Sequence, residues 1–149
     1  MPPETPVLCP AFQKHPDSES TFENESRAFA GCLVDRLVCA NPADAILVHS
    51  DGDVSRVAAA CRLCGKEPNR DVLLAGYDNY ASAIRSKPFM AGLPLATIDK
   101  KNFRAGEAMV RLFMDRIGNK LPPEPQIRII QPELILLDNN GTPIPPSNR

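Results

Sequence analysis

Two short polar clusters stand directly behind apolar runs. His49, Ser50 and Asp51 follow "AILV" (45–48), and Tyr77, Asp78 and Asn79 follow "VLLAG" (72–76). A carboxylate so placed can accept two hydrogen bonds from neighbouring hydroxyls, which is what a sugar offers. The plainer role is structural, because Asp and Asn are ordinary turn residues. His49 with Asp51 and Asp78 could also be drawn as acid–base machinery, and Asp residues at strand ends as a phosphoacceptor site. Neither is accompanied by a glycine-rich phosphate loop or a nucleophile elbow, so an enzyme is not the expectation.

Cysteine supplies the other candidate chemistry. Cys61 and Cys64 form C-x-x-C, the spacing of a zinc half-site or a redox pair, but the sequence holds no second C-x-x-C and its only histidines are His15 and His49. Both cysteines fall on the apolar side of a helical pattern and read as packing. Cys32 and Cys39 also read as packing on one face. No cofactor or metal is expected.

The elements that position the polar clusters follow from periodicity. Ser20 and Glu23 have capping-box spacing. Behind them Phe22, Phe29, Leu33 and Leu37, with Ala28 and Cys32, fall on one face of a helix expected to run to about Ala40, where "NPAD" stops it. "AILV" is a short continuous apolar run, as in a strand covered on both faces. Val54, Val57, Ala58, Cys61 and Cys64 repeat with helical period, and Gly65 is placed to end that helix in a left-handed conformation.

"VLLAG" is a second buried strand. Residues 22–76 thus read helix, strand, helix, strand, the pattern of a parallel sheet with helical crossovers. A long loop (77–94) with Pro88, Gly92 and Pro94 leads to an extended "LATI" (95–98). Asn102 can cap a helix whose apolar face is Phe103, Gly106, Val110, Phe113, Met114 and Ile117, closed by Gly118. "QIRIIQPELILL" gives two short strands or one broken at Pro132. Residues 1–19 are Pro-rich and loose, with "VLCPAF" as a candidate short strand, and 139–149 are a disordered tail. In open parallel sheets ligands bind outside the carboxyl ends of the strands, so both polar clusters should share one edge.

Composition bounds the partners. The 149 residues suit one ordinary domain, and 17 Lys plus Arg against 18 Asp plus Glu give a net charge of −1. That balance argues against a dedicated nucleic-acid surface. The most basic stretch, "DKKNFRAG" (99–106), reads as a solvated helix start. No segment approaches the ~18–20 apolar residues of a membrane span, and "MPPETPVLCPAF" lacks the pattern of a secretory signal. Five cysteines, an odd number, do not look like a disulfide framework. A reducing cytoplasm is the expected location.

Residues 44–138 resemble the C-terminal part of the effector-binding domain of lactose-repressor-type (LacI/GalR) transcriptional regulators. The segments that carry the resemblance are "ADAILVHSDGDVSRVAAACRLCGKEPNRDVLLAGYDN", "LPLATIDKKNFRAGEAMVRLFMDRI" and "IIQPELIL". They look like the family's strand ending in Asn-Asp, a helix ending in Gly, the "G-[FY]-D-[DN]" strand end, the "P-L-T-T-[IV]" crossover, a helix with its Gly, and the "P-x-x-L" strand.

The resemblance implies an α/β parallel-sheet three-layer sandwich, the C-terminal portion of a periplasmic-binding-protein type I clamp. It places Asp78 at the family's ligand-contacting carboxylate. Ser50 falls where many members carry an Asn that touches ligand, and Asp51 keeps the neighbouring acidic position. Tyr77 and Asn79 are further contacts. The Ser50 departure leaves ligand identity open, since a hydroxyl lacks the amide's separate donors.

The implied partners are a sugar or nucleobase effector, a second copy in a homodimeric full-length regulator, and DNA only through a helix-turn-helix absent from this chain. A solute-binding component of a sugar transporter, with the same clamp, is the alternative. The resemblance makes 20–138 a partial effector-binding domain whose helix 102–118 belongs to a first subdomain that this chain lacks. Leaving Phe103, Val110, Phe113 and Ile117 exposed would forfeit roughly 1.5–3 kcal/mol each. Against a domain stability of ~5–15 kcal/mol, that makes the isolated chain marginal or self-associating.

Overall fold

The computed structural model describes residues 5–12, 16–80, 89 and 91–145. Four strands make one sheet in the order β1 (Ala45–Leu47), β2 (Leu73–Ala75), β3 (Ala96–Asp99), β4 (Glu133–Leu136). The first three are parallel, as expected, while β4 runs antiparallel to β3. Neither reading of "QIRIIQPELILL" holds: only Glu133–Leu136, beyond Pro132, is a strand, and residues 126–132 are irregular.

Helix α1 (Glu19–Leu37) starts two residues earlier than the capping-box spacing suggests. Ser18, in extended backbone, accepts the Thr21 N–H on its hydroxyl at 3.2 Å, and its carbonyl takes the Phe22 N–H at 3.1 Å. Ser20 therefore lies inside the first turn. The run Asp17-Ser18-Glu19-Ser20 offers several equivalent caps, which spacing alone does not separate. The helix also stops at Leu37, short of Ala40, and Cys39 is exposed beyond it rather than packed.

Helix α2 (Asp51–Leu63) connects β1 to β2. It ends as expected: Gly65, at φ +74°, gives its N–H to Arg62 O, and Lys66 gives its own to Cys61 O, both at 2.9 Å. This paired bonding satisfies carbonyls the helix would otherwise orphan.

The core lies between the sheet and these helices. Phe29, Leu33 and Leu37 of α1 meet Val54, Val57, Ala58 and Cys61 of α2 over Val48, Val72 and Leu74. Cys61 is fully buried there. Alternate strand residues turn away, and Leu47 is 70% and Leu73 49% exposed. The expectation of strands covered on both faces is thus corrected: among the described residues only one face of β1 and β2 carries helices. Residues 7–12 form no strand; they lie as an irregular segment on α1, with Phe12 and Phe29 ring centroids 5.5 Å apart.

Helix α3 (Asn102–Ile117) buries none of its residues. Its cap is not Asn102. Lys101, left-handed at φ 55°, is the N-cap, and its ammonium has no acceptor with which to cap; Asp99 takes the Lys101 N–H at 2.7 Å and shapes the entry turn. At the other end Gly118 is the C-cap, as expected, with its N–H on Met114 O at 2.9 Å, and the left-handed residue is the next one, Asn119, at φ 52°. Beyond β4, residues 137–144 fold back in a turn: Asp138 accepts the Asn140 and Thr142 N–H groups, and Ile144 bonds Leu136. Pro88, in the long loop, falls outside the described residues.

Candidate functional site

The parallel strands bring both polar clusters to one edge, as the pattern predicts. Backbone pairing continues past the strands: Gly76 N–H to Ala96 O (2.8 Å), Asp78 N–H to Ile98 O (3.0 Å) and Asp51 N–H to Tyr77 O (2.8 Å). The segment 76–78 is therefore clamped between the end of β3 and the start of α2.

Ser50 is the N-cap of α2. Its hydroxyl accepts the Gly52 N–H and donates to Asp78 Oδ2, each at 3.3 Å. The capping role reveals a local reason for Ser at this position, since a helix start favours a short oxygen acceptor.

Asp78 is partly buried and has φ 100°, followed by Asn79 at φ 53°. Two consecutive non-glycine residues in left-handed backbone cost of order 1–3 kcal/mol each and persist only where surroundings over-determine them. Here the strand-end bonds do so. Asp78 Oδ1 is shielded from solvent and faces Lys100 Nζ at 2.5 Å. The ammonium also stands 5.3 Å from the centre of the Tyr77 ring. The Asp78 carboxylate holds the Lys100 pKa above its ordinary value.

Asp51 has a different place. It is fully buried. Its carboxylate takes the Thr97 hydroxyl at 2.9 Å and the Tyr80 N–H at 2.6 Å. The Thr97 oxygen in turn accepts the Asn79 N–H at 3.1 Å. Among the ligand contacts implied by the resemblance, Asp51 is thus the one withdrawn from the surface: it knots β3, α2 and the 77–80 turn together. A buried carboxylate needs such donors to stay charged. The Asn79 side chain bonds Asp99, whose pKa is lowered chiefly by the Lys101 N–H.

His49 does not join Asp51 and Asp78. Its imidazole is largely exposed and lies 3.4 Å from Asp53, so the acid–base constellation is not assembled. Among the described residues no group of three or more His, Cys, Asp or Glu is placed to hold a metal. No helix there is long and apolar enough to cross a membrane.

Sequence reading missed Lys100 and Thr97. The signal was available: β3 is parallel to β1 and β2, so its end must reach the same edge, and "TIDK" (97–100) should be read with the other two clusters.

Parallel strands ending together in a hydrogen-bonding cluster, backed by helices, define an α/β module of the ligand-binding kind. Residues 6–136 match the periplasmic binding protein-like domain. The chain belongs to that family, in agreement with the resemblance read from residues 44–138. A solved structure of a transcriptional regulator CelR–cellobiose complex is similar in fold, with a TM-score of 0.55 and 22% identity over 80% of this chain. The match spans 33% of that protein. No curated protein matches.

Proposed function

We propose that the chain is the small-molecule sensing part of a LacI-type DNA-binding transcriptional regulator, with a sugar or nucleobase as effector. The observation that carries this reading is the Ser50–Asp78–Lys100 cluster over Tyr77, built where three parallel strands end. The cellobiose bound in the CelR regulator supports a sugar. Asp78 is the central contact, with Ser50 and Tyr77 beside it and Asn79 at the rim. Asp51 holds the turn in place and touches no ligand.

In this reading the other half of the clamp and a helix-turn-helix head lie outside the 149 residues. The exposed face of α3 is the surface that meets that half. Effector bridging the two halves shifts a two-state equilibrium that sets the spacing of paired heads, which requires unequal affinity for the two states.

A thermal-shift screen against sugars and nucleobases, run beside Asp78→Ala, tests it. A ligand that binds the folded form raises stability by mass action, about 2.7 kcal/mol at a hundred times its Kd. A shift lost in Asp78→Ala supports the site. A shift that survives Asp78→Ala overturns this site, and the absence of any shift means that this half of the clamp does not bind alone.

A further inference from the structure

Residues 5–12 and helix α1 run past each other in opposite directions. Phe12 lies against Phe29, with ring centroids 5.5 Å apart. Three residues earlier in the segment stands Cys9. Three residues later in the helix, on the face that carries Phe29, stands Cys32. The two side chains meet there and share a hydrogen bond between their sulfurs. Cys9 also packs on the core formed by α1 and α2. Both cysteines are half-buried rather than sealed in that core.

The other three cysteines are placed differently. Cys61 is fully buried. Cys64 turns its sulfur to the Ala30 carbonyl at 3.9 Å. Cys39 is exposed beyond the helix, its sulfur 3.2 Å from the Asn41 carbonyl. Spacing singles out Cys61 and Cys64, whereas the fold adds a pair that spacing does not show. In the dithiol form segment 5–12 holds to the core through Cys9 and Phe12, while Leu8 stands 91% exposed.

We propose that Cys9 and Cys32 are a reversible redox pair whose disulfide staples segment 5–12 to α1. The oxidant is a small disulfide of the glutathione class. Burial first, and then the Cys32 sulfur, push the Cys9 thiol up to about 11, and the thiolate is the attacking species. Cys32 therefore attacks first. Its sulfur bonds one sulfur of oxidised glutathione, the S–S bond of the oxidant breaks, and the departing glutathione takes the proton that Cys32 loses. The Cys9 sulfur then attacks the Cys32 sulfur of the mixed disulfide, and the second glutathione leaves with the Cys9 proton. Two protein thiols are oxidised and one glutathione disulfide is reduced to two thiols. The second step is intramolecular, so contact offsets the protonation of Cys9. The pairing is independent of what the strand-end site binds.

Incubation of the 149-residue chain with oxidised glutathione, then alkylation and non-reducing tryptic mapping, tests it. Peptides 1–14 and 28–36, which hold Cys9 and Cys32, should appear as one cross-linked species that dithiothreitol parts. The disulfide should raise the melting temperature by about 5–10 °C, a rise absent from Cys9→Ser and from Cys32→Ser. Oxidation in concentrated guanidinium chloride should scatter the cross-links over all five cysteines, because the selectivity comes from the fold.

Cys9 and Cys32 remaining reduced, glutathione retained on Cys32 as a stable mixed disulfide, or cross-links confined to Cys39 between chains would each overturn the inference. A native cross-link pattern no more selective than the denatured one overturns it as well.

Discussion

Asp51 Oδ1 lies 1.9 Å from the point a Cβ on residue 76 would occupy. The buried carboxylate and the glycine opposite it therefore form one unit: β2 must end in a residue without a side chain for Asp51 to reach Thr97 and Tyr80. Gly76→Ala pushes Asp51 out of that knot. The expected cost is about 1–3 kcal/mol, as for overpacked cores, read as a lower urea midpoint with an unchanged slope.

Arg56 is fully buried between α1 and α2. Its guanidinium holds Glu25 at 2.6 Å, Asp53 at 2.7 Å and the Gly52 carbonyl at 3.1 Å. Arg56→Met leaves two carboxylates without their cation and should cost about 3–5 kcal/mol. Replacing Glu25 and Asp53 as well, by Leu and Asn, should return most of that loss. Denaturant unfolding of the single and triple variants measures both.

Asp71 contributes to the acid dependence. The Arg70 side chain and then the Glu67 N–H lower its pKa from 3.8 to about 2. A carboxyl with a depressed folded pKa contributes stability above its unfolded value, and that contribution fades as pH falls through the folded one. Between pH 4 and pH 2 the native chain should lose stability that Asp71→Asn does not lose. Melting temperatures across that range compare the two.

The thiols should separate by burial. Cys61 is fully buried and its pKa is pushed up to about 11, chiefly by desolvation, whereas Cys39 is exposed. The thiolate is the nucleophile, so at pH 7.5 iodoacetamide should label Cys39 early and Cys61 only on unfolding. Mass spectrometry of a time course reads the order.

Helix α3 leaves an apolar stripe in water, with Phe103 81%, Val110 62% and Phe113 63% exposed. Contiguous patches of this kind bind hydrophobic dyes and promote association. The chain should raise the fluorescence of an anilinonaphthalene sulfonate dye, and Val110→Ser with Phe113→Ser should reduce the signal by more than half.

Local patterns in the chain were enough to determine most of the elements and their order. Leu33 and Leu37 recur at helical spacing, Gly65 stops α2, and two apolar runs joined by a helix demand parallel strands. The common polar edge at Ser50 and Asp78 follows from that topology, because parallel strands end on the same side. What each edge residue does was decided only by the tertiary structure. Asp51 and Asp78 are the same amino acid after the same kind of strand. One is fully buried because Thr97 and Tyr80 converge on it, and the other stays half-buried facing Lys100. Those partners come from 22 to 46 residues away, and spacing carries no information about such distant donors. The burial of Arg56 was hidden for the same reason: its anion Glu25 sits 31 residues earlier, and a charge becomes tolerable in a core only when packing delivers its partner.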